Sequence, residues 1–233
     1  MQLESIEFSF LSIFTLLTFF IFFLVSKYSY KIKNGALLDK DFTKPQAFHQ
    51  RAISRSGGIA VIIALNIFFF IYFLLNSNIL YDYIFICNLM FFIGFLDDIK
   101  IKISPFKRLL LMIIFLFFSI NILSLEISNI DIPFLIEILE IDINSSIFVM
   151  LCFLFIINGA NLIDGFNGLL SINLIIINII LLYINISNGN NELSLFLIAQ
   201  IIILLSFLLF NFPNAKIFLG DSGSYAMGSL IAL

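Results

Sequence analysis

Three acidic motifs and one basic loop hold the groups of this sequence that can do chemistry. Asp97-Asp98 stands in Gly94-Phe95-Leu96-Asp97-Asp98-Ile99-Lys100 and is followed by Ser104-Pro105. Adjacent like charges repel, and a divalent cation or one protonated carboxyl offsets that cost. Alone, such a pair is more readily a solvated helix end beside Lys100 and Lys102. Asn158, Asn161 and Asp164 recur every third residue and so share a slowly rotating stripe of one helix, while Gly165 and Gly168 let the backbone turn and approach a ligand. Interhelical hydrogen bonding with an Asp-Gly turn is the other reading of that patch. Gly220-Asp221-Ser222-Gly223 offers backbone N–H groups for phosphate and a carboxylate for Mg²⁺, or a plain helix cap. Asp39, Lys44, His49, Arg51 and Arg55 lead into Gly57-Gly58, and their cations suit either a phosphate or membrane orientation. His49 is the one histidine, so a zinc site is rejected.

The elements that must position these groups are membrane helices. The 233 residues are 61% hydrophobic and 12% charged, with a mean hydropathy of +1.13, which excludes a soluble domain with a polar surface. A membrane helix needs about 20 mostly apolar residues, and on that ruler the spans lie near 8–26, 57–75, 79–96, 109–125, 146–163, 168–186 and 194–212, with an eighth starting near 224. The expected fold is an all-α polytopic bundle of about seven complete spans plus the start of an eighth. All 12 Lys and Arg fall in alternate loops on one side, which the positive-inside rule makes cytoplasmic, so the N-terminus is expected outside. Glu4, Glu7, Asp82, Glu126, Asp131, Glu137, Glu140, Asp142 and Glu192 occupy the other side. The segment 126–145 there suits a short interfacial helix or hairpin. Cys87 and Cys152 fall in apolar runs and suggest neither disulfide nor metal.

Asp97-Asp98, the Asn158 patch, Asp221 and the Arg55 loop all fall on four successive loops of one membrane face. Carboxylates for a hard cation, carboxamides for directional bonds and Lys/Arg for phosphate suit phosphoryl transfer at a membrane surface. A transporter or channel is the competing class, since intramembrane Asp and Asn also line ion paths. Against it, the polar residues cluster at one face and none is expected mid-span as a relay.

Gly94 to Asp98 with Ser104-Pro105, Asn158 to Leu169, and Asn211 to Ser224 resemble the polyprenyl-phosphate N-acetylhexosamine-1-phosphate transferases, with a looser match over Asp39 to Gly58. The resemblance implies transfer of an amino-sugar 1-phosphate from a UDP-N-acetylhexosamine to undecaprenyl phosphate, with Mg²⁺ or Mn²⁺, at the cytoplasmic face of a bacterial inner membrane. It implies Asp97 and Asp98 as catalytic residues, Asp98 the activator or base. Asp221, with Asn161, would hold the metal. Asn158, Asn161, Asp164, Lys44, His49 and Arg55 would bind substrate. Asp164-Gly165-Phe166-Asn167-Gly168-Leu169 and Asn211-Phe212-Pro213 look more like enzymes that start O-antigen and common-antigen synthesis, which favours GlcNAc or a deoxy-amino sugar over MurNAc-pentapeptide.

Residues 1–233 are thus expected to form one integral membrane transferase domain, incomplete at its C-terminus. Members of the resembling family continue through further helices and a His-containing loop, whereas this sequence stops about ten residues into the eighth span, too few to cross ~30 Å of hydrocarbon. A truncated or split reading frame, active with a complementary C-terminal fragment or inactive, is the corresponding expectation. A homodimer is the other partner considered, membrane lipid is expected around the spans, and no nucleic acid is expected. Ser54 stands where many relatives have Pro.

Overall fold

The computed structural model describes residues 2–31, 36–39, 52–101, 103–127 and 132–233. Helices α1 (Gln2–Tyr28), α2 (Gly57–Asn76), α3 (Tyr81–Asp98), α4 (Pro105–Leu123), α6 (Asp142–Ile163), α7 (Leu169–Ser187) and α8 (Asn191–Asn211) form an all-α polytopic membrane bundle, joined by the shorter α5 (Pro133–Leu139) and α9 (Gly220–Ala232). All the long helices except α3 are long and apolar enough to cross a membrane; α3 carries Asp82, Asp97 and Asp98. Strands β1 (Leu38–Asp39) and β2 (Ile53–Ser54) form a small antiparallel pair, Leu38 opposite Ser54.

Hydropathy locates the apolar runs, but capping sets the helix ends. Ser104 caps α4, its hydroxyl accepting from the Lys107 N–H at 3.4 Å, and Pro105 takes the first helical position, so α4 begins before the expected 109. Helix α3 runs two residues past the expected 96 and carries Asp97-Asp98 in its last turn. Helix α9 starts at Gly220 rather than near 224, which moves Asp221 from a loop into the first helical turn. The 126–145 segment contains the short helix α5.

Helix α9 is the packing centre. Its Ala226, Met227 and Leu230 join a core with Phe14 and Phe22 of α1, Phe68 of α2 and Phe207 of α8, whereas its Tyr225 joins Met90, Met112 and Phe153 of α3, α4 and α6. Small residues allow this approach: a Cβ on Gly94 of α3 would strike the Asp221 carbonyl and the Ser222 N–H, and one on Gly58 would strike Ser222 and Gly223. Outward faces present Phe155, Leu162, Tyr183 and Leu209, as a lipid-facing bundle requires.

One expectation fails. Polar side chains do lie mid-span: Asn66 of α2 and Asn88 of α3 exchange amide hydrogen bonds at 3.0 and 3.1 Å, and Asn178 of α7 and Gln200 of α8 are buried. The first pair joins α2 to α3, and all four are carboxamides, which do not ionise and so cannot relay protons by titration.

Candidate active site

Four chain segments meet at one end of the bundle. The segment leading into α9 runs beside the one leading into α2: Phe218 N–H donates to the Ser54 carbonyl, Gly57 N–H to Phe218 and Gly58 N–H to Leu219, each at 2.8 Å. These bonds carry Arg55 towards the end of α3. The Lys100 ammonium, donating to the Leu38 carbonyl at 2.9 Å, ties β1 to the same end. On the far side Asn211, 4% exposed, accepts from Gly168 N–H at 2.6 Å and donates to the Ile217 carbonyl at 2.9 Å. That side chain joins the α6–α7 turn to the α8–α9 connection.

Asp98 sits at the meeting point with its side chain wholly buried. Its two oxygens accept the Asp221 N–H at 3.1 Å and the Ser222 N–H at 2.9 Å, the free donors of the first turn of α9. A helix N-terminus is a favourable place for an anion, which makes the burial tolerable. The geometry requires Gly220: its φ is +78°, and a Cβ there would lie 2.6 Å from Asp98 Oδ2. Arg55 places Nη1 3.9 Å from Asp98 Oδ1, beyond hydrogen-bonding distance.

Beside Asp98, the Arg108 Nη1 lies 3.0 Å from Asp97 Oδ2 and 2.7 Å from Asp221 Oδ2, with the guanidinium carbon 5.6 Å from the Tyr225 ring centre. Asp221 Oδ1 accepts from Asn161 Nδ2 at 3.1 Å, and Asn161 also donates to the Ser224 hydroxyl at 2.9 Å. Asp164, just past the end of α6, has its carboxyl pushed well above the ordinary range by burial, with the like charges of Asp221 and Asp98 adding to the effect. Burial alone would lower the Arg55 guanidinium, but the hydrogen bond and charge of Asp39, reinforced by Asp98 and Asp221, raise it.

The structure therefore gathers Arg55, Asp97, Asp98, Asn161, Asp164 and Asp221. It does not bring in Asn158 through a bond: that side chain donates to Leu154 of its own helix at 2.8 Å, because a carboxamide flanked by apolar neighbours satisfies itself on the carbonyl four residues back. Lys44 and His49 lie outside the described residues. Sequence reasoning missed Arg108, counted only as an orientation charge, and Asp39, left without a role. The signal for Arg108 was the Ser104-Pro105 helix start, which returns the chain to the membrane edge and sets Arg108 in the first turns of α4.

Asp97 and Asp221 bring hard oxygens to one cationic point, the donor chemistry that Mg²⁺ or Mn²⁺ takes. That point is held by the Arg108 guanidinium, and among the described residues no group of three or more His, Cys, Asp or Glu gathers as a ligand set. Mg²⁺ is commonly held by one or two carboxylates, its other positions taken by water and substrate phosphate, so this pair fits it once the guanidinium moves aside.

Residues 80–233 match the sequence model described as glycosyl transferase family 4. The chain is similar to the phospho-N-acetylmuramoyl-pentapeptide-transferase of Clostridium perfringens (strain 13 / Type A), 34% identical over 151 residues, covering 61% of this chain and 47% of that protein. The protein of the same name from Clostridium botulinum (strain Eklund 17B / Type B) is 36% identical over 149 residues, 60% of this chain and 46% of its own. That of Clostridioides difficile (strain 630) is 33% identical over 151 residues, 60% of this chain and 47% of its own. The chain spans about half the length of the curated relatives it matches.

Proposed function

The chain belongs to glycosyl transferase family 4, and from that premise we propose that its polar end transfers a sugar 1-phosphate from a UDP-N-acetylhexosamine to a polyprenyl phosphate such as undecaprenyl phosphate. An oxygen of the lipid phosphate attacks the phosphorus that bears the sugar; the bond from that phosphorus to the bridging oxygen breaks, UMP leaves with that oxygen, and a lipid-linked diphosphate sugar remains. Atoms and charge balance with one proton taken from the lipid phosphate when it is monoprotonated.

The observation that carries this reading is the Asp98 site itself: a buried carboxylate fixed by two N–H groups, with guanidinium groups on both flanks, at the end of a membrane bundle. Asp98 is the residue we assign to accept that proton. Arg55 and Arg108 neutralise phosphate charge, and Asp164 accepts from a sugar or ribose hydroxyl. Phosphoryl transfer depends mainly on positioning and neutralisation, which this arrangement suits. Asp97 and Asp221, with the Asn161 carbonyl after rotation of its amide, would hold Mg²⁺ or Mn²⁺, which would polarise the phosphoryl oxygens and add positive charge between the phosphates. The charge bias of the loops supports seven complete spans with the N-terminus outside and this site facing the cytoplasm of a bacterial inner membrane.

For the donor, the Asp164 to Leu169 motif supports GlcNAc or a related amino sugar in the initiation of a cell-envelope polysaccharide. The names of the relatives support MurNAc-pentapeptide as a second reading. Membranes containing the chain, given undecaprenyl phosphate, Mg²⁺ and either labelled UDP-GlcNAc or labelled UDP-MurNAc-pentapeptide, separate the two. Labelled lipid with one donor selects it; no labelled lipid with either, at confirmed expression, refutes the function for this chain.

A further inference from the structure

We infer that Asp39 is a positioning residue: it clamps one edge of the Arg55 guanidinium so that the opposite nitrogen is presented, unbonded, to a phosphoryl group beside Asp98. The inference rests on the functional reading above and deepens it. Strand register makes the pairing. Asp39 lies opposite Ile53, so Arg55, two residues on, is its diagonal neighbour on the same face, within reach of a long side chain. The Arg55 N–H donating to the Leu37 carbonyl at 2.9 Å continues the ladder and fixes that register.

Arg55 Nε and Nη2 both donate to Asp39 Oδ2, at 3.2 and 2.8 Å. A guanidinium is planar and rigid, so fixing two nitrogens on one edge fixes the third. That third nitrogen, Nη1, makes no hydrogen bond among the described residues and faces Asp98 Oδ1 at 3.9 Å. The Asp39 and Arg55 side chains are 13% and 26% exposed, so the pair is shielded while the guanidinium still meets solvent. A phosphoryl oxygen placed there would take a charge-assisted bond from Nη1 while its phosphorus stood against Asp98. Without Asp39 the guanidinium would be free to close the gap and pair with Asp98, quenching both groups. Lysine at position 55 could not replace it, since an ammonium has no second edge to present.

The ligand chemistry is a phosphoryl group from either the prenyl monophosphate or the nucleotide diphosphate sugar, and binding measurements on the purified chain in detergent with Mg²⁺ distinguish them. Farnesyl phosphate, farnesol and UDP-GlcNAc are titrated against the wild type, Asp39→Asn, Asp39→Glu, Arg55→Ala and the Asp39→Asn/Arg55→Ala double variant. The expected result is about 10- to 100-fold weaker binding of one phosphate-bearing ligand in Asp39→Asn, a similar loss in Arg55→Ala, and no further loss in the double variant. Farnesol, which lacks the phosphate, should show no dependence on Asp39, and Asp39→Glu should recover part of the affinity, as a general folding defect would not. Unchanged binding in Asp39→Asn, or additive losses in the double variant, overturn the role of Asp39 alone. Wild-type protein that binds neither phosphate-bearing ligand overturns the functional reading and this inference with it.

Discussion

Replacing Arg108 by Met isolates the charge at the centre of the site, because Met keeps an apolar stem of similar reach over Tyr225 while removing the guanidinium. In the structure that group bridges Asp97 and Asp221 at 3.0 and 2.7 Å, with Arg108, Asp97 and Asp221 side chains 20%, 30% and 19% exposed. Unit charges ~4 Å apart at an effective dielectric of ~20 interact by about 4 kcal/mol. Screening at this exposure and the freedom regained by the side chains reduce the net loss to about 2–3 kcal/mol, below the range for fully buried pairs. For a chain of this size that is a fall of about 5–10 °C in melting temperature. With the guanidinium gone, Asp97 and Asp221 face each other unneutralised, and a divalent cation becomes the group that stabilises them. Ion at ~100 times its Kd restores about 2.7 kcal/mol. Melting of purified protein in detergent, with chelator and then with millimolar Mg²⁺, should therefore show Arg108→Met well below wild type without the ion and close to it with the ion. Wild type should gain less, since its guanidinium competes. Equal melting of both proteins in chelator, or equal gains from Mg²⁺, would refute the account of Arg108 as the resident counter-charge of a cation site.

Gly220→Ala should reduce folded yield and cost about 2 kcal/mol or more, because the residue combines a left-handed φ with a Cβ aimed at the Asp98 carboxylate; thermal melting measures it, and a neutral result would remove the close approach from the argument. Asn211→Leu leaves the buried Gly168 N–H and Ile217 carbonyl without that partner and should cost about 1–3 kcal/mol, measured in the same way. Cysteines introduced at the exposed positions Lys107 and Asn188 should be labelled by an impermeant reagent from opposite sides of the membrane. Labelling from one side would overturn the assigned orientation.

The carboxylates that meet at the candidate site were legible in the sequence because a bilayer makes ionisable groups costly, so each of Asp97, Asp98, Asp164 and Asp221 stood out against an apolar background. Their juxtaposition followed from the alternation of loops between two sides. The partners of those carboxylates were not legible for two physical reasons. Cations at a membrane edge are abundant for orientation alone, and the Ser104-Pro105 helix start sets both Lys107 and Arg108 at the beginning of α4 without telling which of them bridges two carboxylates. Backbone partners carry no side-chain signature, so the Gly220 to Gly223 N–H groups were read as donors to phosphate or as a helix cap, whereas those of Asp221 and Ser222 hold Asp98. Asn158 shows the limit of spacing: a three-residue spacing puts groups on one stripe, but the stripe rotates, and Asn158 bonds within its own helix while Asn161 donates to Asp221.

Helix α9 shows why the site and the bundle stand or fall together. Its first turn supplies the donors to Asp98 and the carboxylate that pairs with Arg108, and its next turns fill the space between the two apolar cores. Glycines on both sides of the contact, Gly58 and Gly94 against Ser222 and Gly223, leave no side-chain layer to absorb a shift, so displacement of α9 by even the width of a methyl group would move both hydrogen bonds of Asp98 at once. The charge of Asp98 acts in the other direction: the two N–H groups of α9 are its hydrogen-bond partners and offset part of the cost of its burial, so a displaced helix would hold that charge less well. Packing of small residues and ionisation of the central carboxylate are thus coupled, and substitutions on the small-residue face of α9 should change activity through the position of those two N–H groups.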